Sequence, residues 1–283
     1  MIKRWLIILR AYSWPASLVP VILGSVTAAR HGRFSWTDLA LTLPAALLVH
    51  SGANLANTYF DFKNNVDTAR TADDRALVDK MLSPAAALRL AAGLLAAGAA
   101  AGFYLAFKNH VPELLWLGAA GLALAWSYTG AGAYKYRALG DIGVFLAFGP
   151  LIVTGTALIQ TGGFVPEALW ASIPVGLLIT AILHANNMRD VRPDSAARFR
   201  TLAGALGPDA SLKLYYALIF VPYLFTVTFG SIWPFVFCAL SAPLAVRLRE
   251  RAARGQFTLL VPETARFVAV YGLLLSAGLY IAA

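Results

Sequence analysis

Two short polar strings carry groups that could do chemistry in an otherwise apolar chain: Asn57-Thr-Tyr-Phe-Asp61-Phe-Lys-Asn-Asn-Val-Asp67 and Asn186-Asn187-Met-Arg189-Asp190-Val-Arg192-Pro-Asp194. In each, an Asn stands four residues before an Asp, and a further Asp follows. Residues i and i+4 of a helix share a face, about 6 Å apart along its axis. Asn57 and Asp61 therefore point one way, as do Asn186, Asp190 and Asp194. Hard cations take oxygen ligands, and Mg²⁺ shares them with phosphate oxygens, so a pair of such strings is what binding a diphosphate ester through Mg²⁺ requires. Loop carboxylates paired with nearby Arg are the plainer alternative for either string alone. Matched spacing in both weighs against it.

Further polar islands accompany the strings. One runs Thr71-Ala-Asp73-Asp74-Arg75-Ala-Leu-Val-Asp79-Lys80, a second runs from Tyr128 to Asp141 through Lys135, and a third is Arg10-Ala-Tyr12-Ser-Trp14-Pro15. Lys as a point charge and Arg as a bidentate fork both suit a diphosphate. Tyr128 is read as walling a cation-bearing pocket and Tyr136 as part of an interfacial aromatic belt. His184, one turn before Asn187, is read as a buried, hydrogen-bonded histidine rather than a catalytic base. His31, His50 and His110 show no ligand-like grouping. The single cysteine, Cys238, excludes an internal disulfide and a cysteine-built zinc site.

The elements that must position these groups are membrane helices. Of the 283 residues, 59% are hydrophobic and 13% charged, against about 45–50% and about 25% in soluble domains. The expected fold is all-α, a polytopic membrane protein with nine apolar segments near 13–29, 38–60, 84–107, 111–130, 141–161, 167–188, 210–230, 232–248 and 264–282. Residues 2–11 are too short to span and read as an interfacial helix rather than a cleaved leader. With the N-terminus in the cytoplasm, all of the 23 Lys and Arg except Arg30, Arg33 and Lys108 fall on the cytoplasmic side, as the positive-inside rule demands. Both strings then face the cytoplasm, and the net charge of +9 needs no nucleic acid partner. The chain reads as one domain over 1–283, with no obligate protein partner evident. Its alanine richness and excess of Arg over Lys suggest a bacterial inner membrane. The Asn-x3-Asp element closing the second and sixth segments hints at a parallel internal repeat, which would bring the strings face to face.

Asn57-x3-Asp61-x5-Asp67 together with Asn186-x3-Asp190-x3-Asp194 resembles the paired Asp-rich motifs of the UbiA superfamily of intramembrane aromatic prenyltransferases. The x5 spacing, Asp74-Arg75-x-Leu77-Val78-Asp79, Tyr128-Thr129-Gly130 and His184-x-Asn186-Asn187-x-Arg189-Asp190 are similar to its menaquinone- and vitamin K-forming branch. The resemblance implies nine helices around a central cavity capped by cytoplasmic loops, Mg²⁺ as cofactor, and a prenyl diphosphate and an aromatic acceptor as substrates taken from the lipid membrane. It implies that Asn57, Asp61, Asp67, Asp190 and Asp194 bind Mg²⁺–diphosphate, with Arg75 and Lys135 contacting the diphosphate. Arg10, Tyr128, Asn186, Asn187 and Arg189 would complete the substrate site, and Asp61, Asp190 and Lys135 would form the catalytic set. The acceptor expected is a naphthalenoid, 1,4-dihydroxy-2-naphthoate or menadiol, with 4-hydroxybenzoate as the alternative. A cation-coupled transporter is the rival of a different class, although transporters place ionisable groups near the bilayer midplane rather than at helix ends.

Overall fold

The structure, a computed structural model, describes residues 2–68, 75–130, 132–196 and 199–282. A short helix α1 (Ile2–Ile8) leads through a single 3₁₀ turn into α2 (Pro15–Arg30), α3 (Trp36–Lys63), α4 (Pro84–Lys108) and α5 (Glu113–Ser127). Helices α6 (Gly140–Leu146) and α7 (Ile152–Thr161) form one rod, joined by a π-helical turn over Ala147–Leu151. There follow α8 (Pro166–Ala196), α9 (Leu202–Leu206), α10 (Pro208–Thr226), α11 (Trp233–Ala239), α12 (Ala242–Ala253) and α13 (Phe257–Ile281). The chain is all-helical among the described residues, with one isolated bridge pairing Arg137 and Arg200.

Helix starts follow local chemistry. Ser35 caps α3 by accepting from the Asp38 amide, and Ser83 caps α4 from the Ala86 amide with Pro84 beside it, each satisfying an otherwise orphaned donor. The π turn coincides with Pro150, whose missing N–H disrupts regular i→i−4 bonding. At the same level Gly149 meets Gly176 of α8, backbone to backbone. A Cβ on Gly149 would stand 3.0 Å from the Gly176 Cα, so neither position tolerates a side chain without separating the helices.

Five helical stretches are long and apolar enough to cross a membrane: Trp36–Lys63, Pro84–Lys108, Gly140–Thr161, Pro166–Ser195 and Phe257–Ile281. The chain is thus an integral membrane protein by length and composition. Five of the nine expected segments coincide with these stretches, while α2, α5 and α10 are helices of 16, 15 and 19 residues outside that set, and one segment is corrected. The eighth, near 232–248, is broken at Leu240–Ser241 into α11 and α12, each with Pro in its opening turn. Pro243 cannot continue a helix from the residues before it, so α12 starts afresh and carries Arg247, Arg249 and Arg251.

The main core joins α2, α7, α8, α10 and α13, with Tyr215, Phe267 and Tyr271 fully buried. A smaller one packs Ile8 of α1 against Leu55, Ala56, Leu77 and Ala87. Helix α5 buries only Leu114, because its inner face borders a cavity instead of another helix.

Candidate active site

The first string ends α3. Asn57 and Asp61 share a face as the spacing requires, and Asp61 is only 4% exposed. Its charge is matched there: Lys135 Nζ lies 2.6 Å from Oδ2 and the Tyr136 hydroxyl donates to Oδ1. Lys135 Nζ also donates to Asn57 Oδ1 at 3.3 Å. A carboxylate this buried is costly unless its oxygens are met by such partners.

The loop that delivers Lys135 folds by specific contacts. It enters a 3₁₀ turn over Tyr134–Tyr136 through Ala133 in the left-handed region, φ 41°. The Lys135 amide donates to the Tyr128 carbonyl at 3.0 Å and the Tyr134 hydroxyl to the Leu124 carbonyl at 3.0 Å. On the other side the Ala138 amide donates to the Arg200 carbonyl at 2.7 Å, and Tyr136 stacks on Phe199 with ring centres 4.0 Å apart. Gly143 faces the Tyr134 ring so closely that any Cβ would collide with it. Burial, then the Asp61 charge, holds the Tyr136 hydroxyl above the usual phenol range, and burial pushes that of Tyr134 up to about 12. Both therefore stay protonated donors.

The second string ends α8. Arg189 grips Asp190 with two bonds of 2.7 Å and donates to Asn186 Oδ1 at 2.7 Å. Asn57 and Lys135 line one cavity with Asn186 and Arg189, and Asp194 lies within the electrostatic reach of Lys135 and Asp61, so the strings converge. After α3 ends, the chain curls so that the Asp67 amide donates to the Asp61 carbonyl at 3.2 Å.

Three expectations are corrected. Asn187 turns away from the strings: its side chain donates to Asp141 at 3.1 Å, beside His184, whose Nδ1 lies 2.6 Å from the same carboxylate. Neighbours on a helix point about 100° apart, so Asn186 and Asn187 cannot share a site. His184, fully buried with Nε2 against the Ser211 carbonyl at 3.2 Å, joins α6, α8 and α10 in the structural role expected of it. Arg75 does not line the cavity. Its guanidinium forks onto Asp79 at 2.9 and 2.6 Å and, chiefly through those hydrogen bonds, holds that carboxyl below the usual range. Tyr136 is no belt residue, since it binds Asp61. Asp73 and Asp74 lie outside the described residues.

Below the strings opens a cavity of about 1250 Å³. Arg10, Asn54, Asn57, Lys135, Asn186 and Arg189 border its polar end. Tyr128 also lines it, with Lys135 Nζ 5.8 Å from the ring centre, as expected. Deeper down, the walls are apolar, from Val49 and Phe103 to Leu117 and Leu122. The sequence reading missed His50, which is buried in the cavity wall with Ser17 Oγ 2.7 Å from Nδ1 and Ser13 Oγ 3.0 Å from Nε2. A signal existed: extending the Asn57–Asp61 face backwards in steps of three and four reaches Asn54 and His50.

The donor set suits Mg²⁺. Asn57, Asp61, Asp67, Asn186, Asp190 and Asp194 all offer hard oxygen ligands. Among the described residues no three His, Cys, Asp or Glu side chains group tightly enough to hold a metal alone. Mg²⁺ commonly needs only one or two protein carboxylates, completing its shell with water and phosphate, so the residues present fit.

Comparison with known proteins places this arrangement. The family model for the UbiA prenyltransferase family matches residues 17–282. UbiA prenyltransferase domain-containing protein 1 of Homo sapiens is 37% identical over 289 residues, covering 98% of this chain and 83% of the relative. The protein of that name from Gallus gallus is 35% identical over 283 residues, covering 98% and 85%. Among solved structures, the apo UbiA homolog from Aeropyrum pernix K1 superposes with TM-score 0.70 at 21% identity, covering 96% of each chain. A UbiA homolog from Archaeoglobus fulgidus, solved bound to DMAPP and Mg²⁺, superposes with TM-score 0.62 at 18% identity, covering 96% of this chain and 99% of that one.

Proposed function

This chain belongs to the UbiA prenyltransferase family, and on that premise we propose that it transfers a prenyl chain from a prenyl diphosphate to a naphthalenoid ring, 1,4-dihydroxy-2-naphthoate or menadiol, in menaquinone formation. The observation that carries this reading is that residues of both Asp strings border the polar end of one long apolar cavity, with Lys135 held on Asp61 beside them. Family membership as a prenyltransferase removes the transporter alternative. The reading takes 1–283 as one domain of nine membrane helices, the shorter ones included, with a loop cap. The charge asymmetry supports a cytoplasmic N-terminus and cap, and the excess of arginine supports a bacterial inner membrane.

Asp61, Asp67, Asp190 and Asp194, with Asn57 and Asn186, would hold Mg²⁺. The ion supplies charge neutralisation as the diphosphate leaves. Lys135 and Arg189 already sit on those carboxylates and amides, so they can meet phosphate oxygens without moving far. Arg10 adds a third cation at the same end. The C1–O bond of the donor breaks and diphosphate departs. The Tyr128 ring presents a π face to the allylic cation. A ring carbon of the acceptor then bonds to C1 and sheds CO₂ from a carboxylated ring, or a proton from menadiol. Apolar walls exclude the water that would otherwise capture the cation.

The test is turnover by purified protein with Mg²⁺, a panel of prenyl diphosphates and three acceptors. Naphthalenoid products with 4-hydroxybenzoate nearly inert is the expected result. Efficient prenylation of 4-hydroxybenzoate without naphthalenoid product overturns the acceptor assignment.

A further inference from the structure

The cavity reaches beyond the strings to α13, where Thr258, Val261, Pro262, Ala265, Arg266 and Ala269 line it. Arg266 stands out among these. It sits nine residues into the helix Phe257–Ile281, one turn past Pro262 and Glu263, with its side chain exposed rather than packed in the core. An ionisable residue within a membrane helix is costly and marks function by default. Glu263, one turn earlier, is not its partner, being held by Arg247 at 3.1 Å and Arg251 at 2.5 Å. Arg266 has no hydrogen-bond or ion-pair partner among the described residues. Lys135 and Arg189, also at the cavity, are by contrast committed to Asp61 and Asp190.

Helix packing sets its depth. Helices α2 and α13 run parallel: the Val19 side chain fills the space a Cβ on Gly272 would need, and Arg30 donates to the Leu279 carbonyl at 2.5 Å. Six residues back from Gly272 is Arg266, about 9 Å towards the strings; α2 itself begins four residues or about 6 Å back from Val19, at Pro15, and the 3₁₀ turn Ala11–Ser13 lies just beyond. Arg266 is therefore level with Ser13, to which Asn54 donates at 3.1 Å and which touches His50. That level is one turn before Asn57 on α3, just below the polar end of the cavity.

We propose that Arg266 binds the carboxylate of the aromatic acceptor. This rests on the prenyl-transfer reading above and names the residue that selects a carboxylated ring. A guanidinium forks onto a carboxylate through two parallel bonds, and with no protein acid competing, the site binds its anion only when substrate is present.

Two measurements test it on full-length protein. The first is binding of 1-hydroxy-2-naphthoate and of 1-naphthol, followed by tryptophan fluorescence with Mg²⁺ and an unreactive prenyl thiodiphosphate. The wild type should prefer the carboxylated ring by about tenfold or more, the worth of a charge-assisted pair. Arg266→Gln should abolish that preference and Arg266→Lys should restore part of it. The second is turnover: Arg266→Gln should lose about tenfold in kcat/KM for dihydroxynaphthoate while menadiol stays within about twofold. Equal losses on both rings, no loss on either, or no binding preference in the wild type overturns the proposal. A binding preference that depends on Arg266 in an enzyme inert towards every naphthalenoid upholds Arg266 and refutes the acceptor assignment instead.

Discussion

Charged pairs hold both ends of this bundle, and they do different work. At the end away from the strings, Asp38 is met by Lys108 at 2.6 Å and Asn109 at 3.1 Å, joining the start of α3 to the end of α4. Glu167 at the start of α8 takes Arg30 at 3.0 Å and His31 at 3.2 Å, and Gln160 both accepts from and donates to the Ser35 backbone. Each of these bonds ties one helix end to another. At the string end, Lys135 reaches Asp61 from a loop, and Arg189 reaches Asp190 from the next residue of the same helix. These pairs border a cavity, and their cations can change partners. Pairing geometry is therefore no guide to role. Access to a cavity and delivery by a loop are.

The largest break in that comparison comes from Asp61→Asn and Asp190→Asn. Each should cost about a hundredfold or more in kcat, in the range seen when charge stabilisation is lost, while the double variant is little worse than the poorer single, because parts of one unit are not additive. Losses that multiply would separate the strings into independent sites. Asp38→Asn should do the reverse. It leaves Lys108 unpaired at a partly buried position, lowering stability by about 1–3 kcal/mol, read as a lower melting temperature, with kcat per folded molecule unchanged. A catalytic defect there would collapse the distinction between the ends. Tyr136→Phe removes one donor to Asp61 and should lower kcat by about tenfold to a hundredfold, the worth of a single hydrogen bond to a charge. Arg75→Ala should be smallest, within about twofold in KM, since its partner Asp79 is exposed. A large KM effect would mean that the turn bearing Arg75 closes over the diphosphate.

Much of the site was legible because helical periodicity is local. The Asn57–Asp61 and Asn186–Asp190–Asp194 faces follow from a spacing of four, and Lys135 from its place in a polar island. What failed was decided at long range. Tyr136 reaches Asp61 because Ala133 reverses the chain and Arg200, more than sixty residues on, pins the far side of the loop. Asn187 was assigned to the wrong neighbour although it shares a face with His184, because the attraction of Asp141, remote in sequence, could not be seen. Hydropathy counted an eighth span across Leu240–Ser241 because an averaging window does not register that Pro243 must restart the helix. Arg266 drew no attention, as one basic residue among many on the side expected to be basic.

The π-helical turn at Ala147–Leu151 has a consequence for how the two ends coexist on one rod. Towards the strings that rod offers Asp141 to His184 and Gly143 to Tyr134. Towards the other end it offers Gln160 to Ser35. A regular helix would lock both sets into a single angular phase. One additional residue in a turn rotates everything beyond it by roughly 100°, so the half beside the strings and the anchoring half present different faces from those a regular helix would.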